Sequence, residues 1–358
     1  MIRRLTLLTI LFPAVVFSQS FPVNKVQETI DATIDEKQIF GAVISIGTKD
    51  SSYHFASGNM EIGDPYFIAS VSKLYTSAVL FKLIDQGMLA LEDSIKEYLT
   101  AQTMSGLHTY RGHDYSNNIT VQHLVTNTSG LSDYFTQDND HKTSLLDHLI
   151  SVGDTSLTFD QIIRMTKQFP AKFPPGTEGK AHYADGNFQL LGQIIQTVTG
   201  TPMMKVYEEY IFTPLDLDKT YLYNNPSDTI PANFYYKADL LSIPQMMASF
   251  QADGGIVSTS EETLAFIKAH FGGRLHSKRF ADMNTEWNNI YSPFQYGYGV
   301  MKFGVFGVPD MIGHAGANGA FAYYIPSEDL YISGTINQID KPRLTYKLIA
   351  KILATVKN

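Results

Sequence analysis

The 358 residues include no cysteine, and with 44% hydrophobic and 17% charged residues they describe a chain that buries a large core rather than a disordered one. Without cysteine there are no disulfides, zinc ribbons, iron–sulfur clusters or cysteine nucleophiles. A net charge of -8 argues against a nucleic-acid partner, whose phosphates need a basic face.

Arg3 and Arg4 open the chain, and residues 5–16 form an apolar run too short to span a bilayer. Val16-Phe17-Ser18 offers a cleavage site before Gln19, so residues 1–18 read as a secretory signal peptide, with an N-terminal membrane anchor as the alternative. No cysteine follows the run, which excludes a lipoprotein anchor. The expected mature protein is periplasmic or secreted from a bacterium, and no later apolar segment is long enough for stable membrane insertion.

Helical spacing of Val26, Ile30 and Ile34 predicts a helix over residues 26–38. Residues 41–46 and 52–56 read as strands around the turn Lys49-Asp50-Ser51, and residues 70–86 as a buried helix stopped by Gly87. The middle of the chain is rich in helical patterns, such as 121–126 and 187–198, the latter closed by Gly200. Strand patterns return at 299–303, 320–325 and 330–336, before a last helix near 343–356. Strands at both ends imply one sheet built from distant segments. A single catalytic domain over residues 19–358 follows, with a sheet lobe of about 22–88 and 251–358 and a helical lobe of about 89–250 inserted in it. A cleft between lobes is the default place for a site.

Three constellations carry chemistry. In Ser70-Val71-Ser72-Lys73 the spacing puts the hydroxyl and the amine on one face of a helix turn. A serine becomes a nucleophile when a base takes its proton, and a lysine can do so if desolvation lowers its pKa; Ile68, Ala69, Val71 and Leu74 provide apolar surroundings. The positive end of the helix favours developing negative charge. The motif is weak alone, and a solvated serine and lysine at a helix start is the other reading. Tyr183-Ala184-Asp185 follows the turn Pro174-Pro175-Gly176 and precedes a helix near Asn187. A phenol near an ammonium ionises more easily and can act as a general base; a tyrosine simply packed in a loop is the alternative. His314-Ala315-Gly316 sits among Gly313, Gly316 and Gly319, an edge or site-facing strand that lets a ligand approach the main chain. Such a strand can offer a backbone N–H to an oxyanion; a surface histidine at a strand start is the alternative.

In this order and spacing, the three motifs resemble the serine β-lactamase and penicillin-binding-protein superfamily, for which S-x-x-K is a signature. The resemblance is closest to the branch of class C β-lactamases, DD-peptidases, D-aminopeptidases and related esterases. It extends through "PYFIASVSKLYTSAVLFKLIDQGML", "ITVQHLVTNTSGLSDY", "LLGQIIQTVTG", "YIFTPLDLDKTYL" and "ADGGIVSTSEETLAFI", from about residue 25 to 355. It implies an α/β (α+β) fold of β-lactamase/transpeptidase type, with an antiparallel sheet flanked by helices and an inserted all-helical lobe. It implies that Ser70 is acylated, Lys73 is its proton partner, Tyr183 shares the base role and protonates the leaving group, and the N–H groups of Ser70 and Ala317 form the oxyanion hole. No cofactor or metal is implied.

Asp185 stands where the family often has asparagine. An ionised aspartate only accepts hydrogen bonds, so it would bind a substrate amide N–H and repel a carboxylate. His314 in place of lysine carries only partial positive charge near neutral pH, and Ala315 lacks a hydroxyl. With Gly316, His314 would still line the substrate site, as would Tyr134 and Phe135, for each of which core packing is the alternative. Asn127 reads as structural. There is no G-x-S-x-G or H-E-x-x-H motif, and His108, His113 and Asp114 match no common metal spacing. Two classes of function remain. One is an exported serine hydrolase acting through an acyl-enzyme on amides or esters, such as D-amino-acid-containing peptides or β-lactam-like compounds, with a promiscuous esterase as a variant. The other is a non-catalytic penicillin-binding sensor. Its partner is a small-molecule or peptide substrate in either case.

Overall fold

The computed structural model describes residues 21–357 except 140–141, 278–279, 281–282 and 284–285; the expected signal segment lies outside the described residues. No helix among the described residues is long and apolar enough to cross a membrane.

Eight strands form one antiparallel sheet: β1 (Gly41–Gly47), β2 (Tyr53–Gly58), β3 (Asn288–Tyr291), β4 (Phe294–Tyr296), β5 (Met301–Val305), β6 (Val308–Ala315), β7 (Ala320–Ile325) and β8 (Leu330–Thr335). Their spatial order is β3-β4-β5-β6-β7-β8-β1-β2. The two ends of the chain meet where Val43 pairs with Thr335 and Gly47 with Tyr331. Strand β1 is buried along its whole length, which explains its mostly apolar sequence, and its buried Ser45 hydroxyl is satisfied by His54 and Ser260. Ala42, Ile44 and Ile46 face helices α1 (Val23–Asp31) and α6 (Arg343–Lys357), through Val26, Ile30, Leu348 and Ile352. Val43, on the opposite face, joins the core that contains α2 (Ser72–Asp85) and α5 (Ser260–Phe271).

Helix α1 ends earlier than its periodicity suggests. The Asp35 carboxylate accepts the N–H groups of Lys37, Gln38 and Ile39, so the chain turns there instead of continuing the helix. Between the sheet's two contributing segments lie helices, among them α3 (Asp185–Thr199) and the short α4 (Gln251–Gly254). This region is not all helical as expected. It carries the hairpins Thr109–Tyr110/His113–Asp114 and Phe234–Tyr236/Asp239–Leu241. A second, three-stranded sheet joins Tyr66–Phe67, Ile256–Ser258 and Tyr221–Leu222. Strand β6 is interior, not an edge, because β5 and β7 pair with it on either side.

Candidate active site

The chain enters the site from the short strand Tyr66–Phe67 and turns into a 3-10 segment, Ala69–Val71, that runs on into α2. Ala69 takes a left-handed φ of 46°, a strain of about 1–2 kcal/mol for a residue with a Cβ. That bend presents Ser70, half-buried, at the helix start. Gly316 makes the juxtaposition with the sheet possible: a Cβ there would stand 2.9 Å from both the Ala69 Cβ and the Ile68 carbonyl oxygen. Ser70 and Ala317 line the same cleft, and no carbonyl among the described residues accepts a hydrogen bond from either backbone N–H. Two such N–H groups beside a serine can receive an oxyanion.

Lys73 is fully buried one helix turn below. Its Nζ donates to Ser70 Oγ at 3.1 Å and to the Asp253 carbonyl at 2.6 Å, and pairs with Asp185 Oδ1 at 2.6 Å. The expectation of a lysine made basic by apolar surroundings needs correction. Burial does favour the neutral amine, but the charges of Asp185 and Asp253 outweigh it and hold the ammonium above its usual range. Asp185 is correspondingly committed to Lys73; its side chain is only 11% exposed, so its charge is largely spent inside the protein instead of on a substrate.

Tyr183 lies in a loop held from both sides by Asn127. The Asn127 carbonyl accepts the His182 N–H at 2.9 Å, and its Oδ1 accepts the Ala184 N–H at 3.1 Å and the Asn187 Nδ2 at 2.7 Å. Asp133 accepts the Asp185 N–H at 2.9 Å, which fills an orphan donor of α3 and lets the helix begin two residues before Asn187. Tyr183 lines the same cleft as Ser70. Burial and the Asp185 charge push this phenol well above its usual range, which favours the neutral hydroxyl needed to protonate a leaving group over the phenolate that the expected base role needs. The Lys73 Nζ lies 5.3 Å from the centre of its ring.

Two candidates for substrate contact are placed otherwise. His314 is fully buried, its Nδ1–H donates to the Ala315 carbonyl at 2.9 Å, and its Nε2 faces the Tyr296 hydroxyl at 3.3 Å. Burial and the Lys73 charge lower its pKa to about 3, so it is neutral, without the partial charge expected. Tyr134 is also buried, and its hydroxyl donates to Asp253 Oδ2 at 2.8 Å; its neighbour Phe135 lines the cleft instead. His108 pairs with the Phe173 carbonyl at 3.0 Å, and His113 sits in an exposed hairpin.

The cleft has a volume of about 950 Å³. Ser70, Tyr183, Asp185, Gly316 and Ala317 line its floor, and Tyr291, Phe294, Phe303 and Tyr346 give it an aromatic wall. Phe303 stacks on Tyr346 with ring centres 4.6 Å apart. Arg343, exposed at the start of α6, stands in the same wall. Asp133, Asp253, Tyr296 and Arg343 were not singled out in sequence. Asp133 and Asp253 lie in stretches that resemble the superfamily, "NTSGLSDY" and "ADGGIVSTS", but nothing local marks an aspartate as buried against a lysine.

A model of the family described as Beta-lactamase matches residues 26–355. A putative D-alanyl-D-alanine carboxypeptidase of Escherichia coli O157:H7 is 30% identical over 159 residues, 44% of this chain and 34% of that protein; the chain thus spans about a third of that relative's length. The fold is similar to that of the D-amino acid amidase from Ochrobactrum anthropi SV3 complexed with D-phenylalanine, with a TM-score of 0.76 and 18% identity over 94% of this chain and 99% of that one. It is equally similar to EstCE1, described as a hydrolase with promiscuous acyltransferase activity, with a TM-score of 0.76 and 19% identity over 94% and 98%.

Proposed function

The chain belongs to the Beta-lactamase family, and on that footing we propose that it is a serine hydrolase that works through an acyl-enzyme on Ser70. The observation that carries this reading is the 3.1 Å contact between Ser70 Oγ and the buried Lys73 Nζ at the floor of a large cleft. Ser70 attacks a substrate carbonyl, and the N–H groups of Ser70 and Ala317 receive the oxyanion. The neutral Tyr183 hydroxyl, in the same cleft as Ser70, protonates the departing amine or alcohol. Water then hydrolyses the ester on Ser70.

The substrates are amides or esters, with D-amino-acid-containing peptides favoured by the likeness to a carboxypeptidase and to a D-amino acid amidase. The aromatic wall suits a substrate with an apolar or aromatic side chain, and Arg343 offers a cation to a carboxylate at the rim. That cation, together with the neutralised Asp185, replaces the expected repulsion of carboxylates. A penicillin-binding sensor is the second reading, favoured by the charged state of Lys73, which has no lone pair to take the Ser70 proton until it gives up one of its own. Export by cleavage before Gln19 belongs to the same proposal, and the N-terminus of the protein recovered outside the cytoplasm checks it. The function itself is tested with a p-nitrophenyl ester and a D-phenylalanine amide. Turnover that disappears in Ser70→Ala supports the hydrolase; equal turnover in both proteins contradicts it.

A further inference from the structure

The Lys73 Nζ donates to Ser70 Oγ and to the Asp253 carbonyl, and it is ion-paired with Asp185 Oδ1 at 2.6 Å. An ammonium has three N–H bonds and no lone pair. In that state Lys73 cannot take the Ser70 proton. It must first lose one, and its three neighbours differ in what they can accept. A backbone carbonyl and a serine hydroxyl are not bases near neutral pH; an aspartate carboxylate is. The Asp253 carboxyl is directed to the Tyr134 hydroxyl at 2.8 Å, and Asp253 reaches Lys73 Nζ through its backbone oxygen. Asp185, at 2.6 Å, is the one neighbour with both the chemistry and the contact.

We propose that Asp185 is the proton acceptor of a Ser70–Lys73–Asp185 relay, in which Lys73 passes a proton to Asp185 before it takes one from Ser70. The relay rests on Ser70 being the acylated nucleophile. Lys73 Nζ–H first moves to Asp185 Oδ1, leaving a neutral amine and a neutral carboxyl. A one-third turn about the Cε–Nζ bond points the freed lone pair at Ser70. Ser70 Oγ then bonds to the substrate carbonyl carbon as its proton moves to Nζ. When the carbon–leaving-group bond breaks, the leaving group takes a proton from Tyr183, which recovers one from Lys73. Asp185 finally returns its proton to Nζ, so that every group ends as it began except the acylated serine. Asp185 acts through Lys73 and is a positioning residue for the proton.

The groups that face Asp185 besides Lys73 are Asp133, whose Oδ1 accepts its backbone N–H, and Asp253. The phenols of Tyr134, Tyr183, Tyr291 and Tyr296 are near enough for the Asp185 charge to raise their pKa values. All of these are acids or neutral phenols, so Lys73 is the one cation in direct contact with Asp185 among the described residues.

The test measures kcat, KM and the pH profile of p-nitrophenyl acetate hydrolysis in the parent, Asp185→Asn, Asp185→Glu and Ser70→Ala. The relay predicts that Asp185→Asn lowers kcat by about 100-fold with KM changed by less than about threefold, the scale of a lost general base. The residual rate should climb with alkaline pH, because Lys73 must now give its proton to water, and Asp185→Glu should recover at least about a tenth of the parent rate. Asp185→Asn with the parent's kcat and pH profile would overturn the relay while leaving a Ser70-dependent hydrolase. Turnover that survives Ser70→Ala would overturn both. If Asp185→Asn does not fold, nitrogen-15 NMR of the parent decides: the relay requires a Lys73 ammonium at pH 7, and a neutral amine there would overturn it.

Discussion

Burial shifts His314 and Asp133 so that they pull stability in opposite directions with pH. Burial, with the Lys73 charge, lowers His314 from 6.5 to about 3, so between these values the unfolded chain binds a proton that the folded one refuses. Its contribution is present above pH 6.5 and is lost as pH falls towards 3, by up to about 5 kcal/mol. Asp133 is raised from 3.8 to about 6 by burial and by the Asp185 charge, so its contribution is present below 3.8 and is lost as pH rises through 6. His314→Gln should therefore flatten the fall in urea stability between pH 6.5 and 3; a slope equal to the parent's would contradict the buried, neutral imidazole. At this scale the sequence was legible where spacing is local. Ser70 and Lys73 are three residues apart, and helix geometry alone brings them together. Asp253 lies 180 positions from Lys73 and reaches it only through the packing of α4 on α2, which no local pattern encodes. The ionisation of Lys73 likewise depends on Asp185 and Asp253 as neighbours in space, whereas that of Tyr183 depends first on its burial and then on the nearby Asp185 charge.

Helix α3 and helix α4 hold the lysine's second acceptor in place. A Cβ at Gly192 of α3 would stand 2.5 Å from the Ala252 Cβ of α4. Ala252 also accepts the Thr76 hydroxyl from α2 at 2.6 Å, and the next carbonyl is the one that Lys73 uses. Gly192→Ala should cost about 1–3 kcal/mol by overpacking, and should lower kcat because α4 shifts with the Asp253 carbonyl. Gly200 ends the same helix with a left-handed φ of 66° and open space around it, so Gly200→Ala should cost about 1 kcal/mol and leave kcat unchanged. Thermal melts and ester kinetics on the pair check this, and equal activity in the two variants would contradict it. Most strands and helices followed from periodicity, but β3 and β4 did not, and β6 was legible only at its end around His314. They are short or carry glycine, proline and polar residues among the apolar ones, and pairing with neighbouring strands defines them.

Across the whole molecule, the first and last parts of the chain share one core. Strand β1 pairs with β8, and α1 lies on α6, where the Thr29 and Thr355 hydroxyls meet at 3.1 Å. Ile349, fully buried in α6, belongs to that shared core, far in sequence from Ser70. Because Ile68 and Ala69, just before α2, pack against Gly316 at the end of β6, loss of the sheet should take the site with it. Ile349→Ala should cost about 2–5 kcal/mol, with ester turnover and far-ultraviolet circular dichroism falling in one urea transition. Activity that outlasts the circular dichroism signal would contradict a shared core. The return of the chain to its starting sheet was legible from strands at both ends of the sequence. The hairpins in the middle were not, because their short paired segments resemble loops.

The central claim is that Ser70 is acylated and then released. Intact-mass measurement during incubation with p-nitrophenyl acetate and with a fluorescent penicillin tests it most directly. The account predicts an adduct on Ser70 that forms and decays with the ester, and none in Ser70→Ala. No adduct with either reagent, or the same adduct in Ser70→Ala, would contradict it.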